Sequence, residues 1–166
     1  MTSPTEMTDD AYRVLVNYIR DIADKVGLKD WQFFLERVEA DQGVIASVEV
    51  WGDSTTCTLW FGPPFWKYGP RMQRETVVHE LVHCHTHKLV RLVKTTMTNE
   101  LGNQAAHAMN FSLEQMHEMA VDGIAASWAR MLPCIDWSDL SPLYTEYEAQ
   151  TGGQETPLRR DNVVID

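Results

Sequence analysis

Cysteine is scarce in this 166-residue chain: Cys57, Cys84 and Cys134 are odd in number, widely separated and without any C-x-x-C. That excludes a disulfide framework and a cysteine zinc knuckle, and a reducing compartment is expected. Long apolar runs are missing too, since no stretch approaches the roughly 20 residues that a membrane-spanning helix needs. The opening Met-Thr-Ser-Pro-Thr-Glu-Met-Thr-Asp-Asp carries acid where a secretory signal carries base. A soluble, cytoplasmic protein with no membrane partner is therefore expected. Base is in short supply as well: 14 Lys and Arg against 24 Asp and Glu leave a net charge of −10. Without a surplus of cations to neutralise phosphates, nucleic acid is not an expected partner. There is no internal repeat and no low-complexity tract.

What is present is a chain with 44% hydrophobic content, long enough to bury one core and too short for two ordinary domains. One α+β domain over residues 1–150 is expected, followed by a polar tail over 151–166 in which Val163, Val164 and Ile165 can add an edge strand. Residues 8–26 show helical spacing of apolar side chains, with Thr8 as N-cap, Asp9 and Asp10 in the first turn and Gly27 as the stop. Residues 31–39, 44–51 and 55–61 are short, aromatic and β-branched, and Asp41-Gln42-Gly43 and Gly52-Asp53-Ser54 separate them. They read as a three-stranded antiparallel meander with Val44, Ala46, Val48 and Val50 facing the core.

Gly69-Pro70 opens a helix expected over residues 70–93, whose last turns carry Lys88, Arg91 and Lys94 as cations suited to a helix C-terminus. Residues 95–110 are polar and rich in small side chains, and a loop or irregular helix is expected there. Ser112 and Gln115 then form a capping box, with Phe111 stapled onto Met116. The helix that follows has Met116, Met119, Ala120, Ile124, Ala125, Trp128 and Met131 as its core-packing side, and it stops before Pro133. A turn and a short helix are expected between Cys134 and Ala149.

Within the 70–93 helix stands His79-Glu80-Leu81-Val82-His83, an H-E-x-x-H. Residue frequencies give roughly one or two accidental matches per hundred chains of this kind, so the surroundings must carry the argument. On a helix, residues four apart stack one turn above each other, so His79 and His83 direct their imidazoles at one point. Glu80 lies about 100° round the helix, suited to meeting a water on a metal and not to binding the metal with both histidines.

A catalytic zinc site offers three protein ligands and leaves one position open. His87 continues the same face but lies eight residues from His79, about 12 Å along the axis, too far to share one ion. The longer H-E-x-x-H-x-x-G-x-x-H pattern fails because Thr86 and Leu89 stand at its glycine and third histidine. A better partner is Glu118, in His117-Glu118-Met-Ala-Val-Asp122.

His79-Glu80-x-x-His83 followed by Glu118-x-x-x-Asp122 resembles the gluzincin zinc metallopeptidases. The resemblance implies a zincin-like fold, Zn2+ as cofactor, Glu118 as third ligand and Asp122 as the partner of the first histidine. The spacing is compatible, because residues at i and i+4 serve both tasks from one helix face. The element order also resembles small single-domain, minimal gluzincins and the ImmA/IrrE type, and the SprT type, where a third histidine usually replaces the glutamate. The specific match covers residues 75–83 and 118–122, while the coarse order covers residues 8–132.

The implied activity is peptide-bond hydrolysis of a protein or peptide substrate, with Glu80 as general base. Four residues are candidates for the donor to the transition state: His107, His117, Tyr144 and Tyr147. Residues 55–61 are the candidate edge strand for pairing with extended substrate, and Trp60, Phe61, Phe65 and Trp66 can line an apolar subsite. Two other readings stay open at this level, a zinc-dependent amide hydrolase on a non-peptide substrate and a non-catalytic binding module whose histidines are structural.

Overall fold

The first helix forms where the sequence supplies both a start and a stop. In the computed structural model of the protein, which describes residues 7–37 and 43–138, α1 spans Asp9–Lys25. Thr8 Oγ1 accepts the Ala11 N–H, Asp9 and Asp10 sit against the positive end, and Gly27 takes φ of +84° just past the C-cap. Leu15, Ile19 and Ile22 then recur at helical spacing and are buried.

Three strands follow: β1 at Gln32–Leu35, β2 at Ala46–Val50 and β3 at Thr56–Phe61. The α+β class holds, but the sheet is mixed and its order is β1-β3-β2. β2 and β3 form the expected antiparallel hairpin, with Val48 opposite Leu59 and Val50 opposite Cys57. β1, by contrast, runs parallel to β3, with Phe33 opposite Cys57 and Leu35 opposite Leu59. The meander expected from the sequence is therefore corrected. β3 is the most completely buried strand, with Cys57, Thr58, Leu59 and Phe61 all covered, so it occupies the centre and takes a neighbour on each side. Being central it has no open edge, and the expectation that residues 55–61 form an edge strand is overturned. β2 is an edge strand, and it lies against α2, Pro70–Ala129. Gly62 closes the sheet at a place where a Cβ would meet Val44 O at 1.9 Å, so no larger residue fits the close approach of the two backbones.

A 3-10 turn, Phe65–Lys67, leads into α2. The chain stays helical from 70 to 129 except at Gly102, whose φ of +77° and ψ of 163° break the helix into an N-terminal arm, residues 70–101, and a C-terminal arm, residues 103–129. Of the two forms expected for residues 95–110, a loop or an irregular helix, the structure has the second: the segment is helical on both sides of the Gly102 break, where Thr98 Oγ1 bonds Lys94 O and Ala106 is buried, so helical packing outweighs the weak propensity of the Thr and Asn residues. Two other sequence expectations are corrected here. Ser112 lies inside a helix and caps nothing, and both Phe111 and Met116 are exposed, so no staple forms. Arg91 and Lys94 do not sit at a helix end; they bond Asp53 and Glu114.

Of the core-facing side expected for the C-terminal arm, Ala125 is buried and Trp128 packs against the core, but the methionines do not. Val121, Ala125 and Ala129 are buried, whereas Met116, Met119 and Met131 face outward. Small side chains at i, i+4 and i+8 let the two arms approach closely. Beyond the arm, Tyr18 donates to Pro133 O at 2.8 Å and Trp137 Nε1 donates to Gln73 Oε1 at 2.7 Å, tying the last described residues to α1 and α2. Among the described residues no helix is long and apolar enough to cross a membrane. Tyr144, Tyr147, the short helix expected before residue 149, the 151–166 tail and the Asp41-Gln42 part of the first turn lie outside the described residues.

Candidate metal centre

The break at Gly102 determines which residues meet. His83 lies 19 residues before it and Glu118 16 residues after it, so folding the arms back on one another brings both to nearly the same height. His79, one turn below His83, accordingly meets Asp122, one turn beyond Glu118.

Three donor atoms converge. His79 Nε2 and His83 Nε2 are 3.0 Å apart, and Glu118 Oε2 lies 3.5 Å from the first and 3.6 Å from the second. A tetrahedral ion with bonds of about 2.0–2.2 Å separates neighbouring donors by about 3.3–3.6 Å, so both His–Glu separations match one face of such a shell, while the two imidazole nitrogens stand slightly closer than it requires. The three residues fit a metal ion, and among the described residues they are the one group of three or more ligating side chains so placed. His79 Nδ1 stands 3.1 Å from Asp122 Oδ1, which places the proton on Nδ1 and turns the Nε2 lone pair toward the triangle. Each of the expected residues His79, His83, Glu118 and Asp122 is thus brought to the same place.

The electrostatics agree with a cation site. Burial lowers the pKa of His79, but hydrogen bonds with Asp122 and Glu118 outweigh it, so in the metal-free protein it is pushed up to about 10. Burial likewise raises Glu118, yet the two imidazoles win and hold its carboxyl well below the usual range. A proton shared in this way takes the role of the missing positive charge. Glu80 is 6% exposed, beside the triangle on the N-terminal arm. Its burial raises its pKa, and the neighbouring imidazoles pull part of that back. Such a carboxylate is a stronger base than one in water.

Thr86 is a residue that the sequence reading left without a role. Its hydroxyl lies within hydrogen-bond distance of Val82 O and His83 O, at 3.2 and 3.3 Å, and pairs with His117 Nε2 at 2.7 Å. The signal was available in the sequence, because Thr86 stands three residues after His83 on the same face. His117 packs 5.1 Å from the His83 ring centroid, with Nδ1 3.9 Å from Glu118 Oε1. Burial and the charges of His83 and Lys94 lower its pKa.

The remaining candidates fall elsewhere. His107 lines a cavity of about 310 Å³ with Lys94, Met97, Thr98, Asn103, Ala106 and Asn110, nearer the Gly102 break. His87 meets Gly52 O at 3.0 Å, away from the triangle, as its spacing requires. Phe61 and Phe65 are core residues and line no subsite. Trp66 packs edge-on to Phe65 and against Trp137. Trp60 alternates to the other side of β3 from buried Leu59 and Phe61. No protein-family model matches the chain, and neither a curated protein nor a solved structure matches it. The centre is therefore judged on its own geometry.

Proposed function

We propose that this chain is a zinc-dependent peptidase of gluzincin type. The observation that carries the reading is the convergence of His79, His83 and Glu118 on one point, with Asp122 behind the first histidine and Glu80 buried next to the pair. Two neutral imidazoles and one carboxylate suit zinc, and three ligands from the protein leave a corner for chemistry. Bound there, zinc supplies Lewis acidity that activates a water and polarises a carbonyl. Glu80 accepts the proton of the attacking water and returns it to the leaving nitrogen, work that a carboxyl with a raised pKa performs well near neutral pH. Asp122 holds the His79 ring in one tautomer, and the Thr86–His117 bond holds the glutamate arm in register. β2, an edge strand against α2, has no strand paired on its outer side among the described residues and offers that backbone to an extended chain, which favours a peptide over a compact substrate.

The test is cleavage of a broad mixture of unfolded proteins by zinc-loaded protein, read as new peptide termini by mass spectrometry. The Glu80→Gln variant is expected to keep its zinc and to lose about 100-fold or more in rate. A parent that takes up no metal, or a variant that cleaves as fast as the parent, overturns the proposal.

A further inference from the structure

The C-terminal arm of α2 has two unlike faces. Its acids, Glu114, Glu118 and Asp122, meet Lys94, His79 and His83 on the N-terminal arm. Residues 103–129 contain no other charged side chain, so the strip from Met109 to Ala126 has none, and the half-exposed Asp122 lies on its flank, one turn from Met119. A strip without charge is unexpected in a chain with a net charge of −10. What the face shows instead is methionine: Met109, Met116 and Met119 are 51%, 70% and 74% exposed. Ser112, Gly123 and Ala126 lie between and beyond them, also exposed.

We propose that this face is where two copies of the chain associate, arm against arm and antiparallel across a two-fold axis. Three features single out a second copy. First, two strongly acidic molecules can approach only where acid does not meet acid, and this strip meets that condition along its length. Second, the pattern complements itself. With the axis between Met116 and Met119, Met116 of one copy lies beside Met119 of the other, Met109 lies over Ala126 and Ser112 lies against Gly123. Each large side chain meets either a flexible one or a hollow, which a two-fold interface between identical surfaces requires. Third, Arg130, the first charge past the face, is carried toward the end of the other arm where Glu100 is exposed. A strip about 40 Å long and about 10 Å wide on each copy covers about 800 Å² in total, the size of a weak, reversible interface.

Sedimentation equilibrium of the full chain tests this. The parent is expected to show a reversible monomer–dimer equilibrium, and Met116→Glu to weaken it at least about 10-fold by setting carboxylates near the axis. Met119→Lys is expected to weaken it similarly, while an equal mixture of the two variants regains dimer because opposite charges then face each other. Unchanged thermal melting of each variant shows that the fold is intact. A parent that is monomeric at every concentration, or a Met116→Glu chain that associates as the parent does, overturns the proposal.

Discussion

The Nδ1 nitrogen of His79 faces Oδ1 of Asp122 at 3.1 Å, so a residue on one arm of α2 fixes the tautomer of a histidine on the other. The metal centre and the helical hairpin are therefore one structure. Orienting the imidazole and holding the arms together are tasks of the same contact.

Replacing Asp122 with Asn keeps the shape and removes the charge. The variant is expected to bind zinc about 10- to 100-fold more weakly than the parent, because the ring loses the anion that holds its proton on Nδ1. Competition with a chromophoric chelator measures this. Unchanged affinity would show that His79 is oriented by packing alone.

The metal-free protein has its own pH dependence. His79 has a folded pKa of about 10, above its unfolded value of 6.5, so its contribution to stability is complete below 6.5 and is lost as pH rises toward 10. Glu118 is shifted down, so its contribution is present above the ordinary carboxyl value of 4.5 and is lost as pH falls below it. With a chelator present, the urea midpoint is expected to fall between pH 6.5 and pH 9. Zinc reverses the sign, because ligation requires neutral imidazoles and binding releases protons. A chelated protein that becomes more stable over the same range would contradict this ordering.

Gly102 carries the reversal of the chain. A Cβ there meets no atom within 4 Å, so Gly102→Ala tests backbone conformation alone. With φ of +77° and ψ of 163° it occupies a region reserved almost entirely for glycine, and the substitution is expected to cost about 1–3 kcal/mol. Thermal melting should fall by roughly 2–10 °C. A melting temperature equal to that of the parent would mean that the turn readjusts around another residue.

Much of this was legible from local patterns. Thr8, Asp9 and Gly27 gave α1 its bounds, and the i, i+4 spacings of His79 with His83 and of Glu118 with Asp122 gave the site. What failed depended on partners distant in sequence. β1 was assigned to a meander because strand direction leaves no local trace, and its parallel place beside β3 follows from burial on both sides of β3. The methionine stripe was assigned to the core although Met116 stands two residues, about 200° round the helix, from Glu118. With Glu118 turned inward, Met116 has to face outward. The two expectations excluded each other, and the carboxylate decided between them.

The clasp between Thr86 and His117 can be isolated from the metal. Thr86→Val keeps the volume and removes the hydroxyl that bonds His117 Nε2 at 2.7 Å, leaving that ring nitrogen without this partner. The cost is expected at about 1–3 kcal/mol in the chelated protein. Replacing His117 with Phe removes the same bond from the other side. Because each change breaks one shared contact, the double variant should lose less than the two single losses added together, with a coupling of about 0.5–3 kcal/mol. Urea denaturation of the four chains in chelator gives that coupling directly. Losses that simply add would mean that the hydrogen bond contributes nothing to holding the arms in register, and that the buried stripe of Val121, Ala125 and Ala129 holds Glu118 in place by itself.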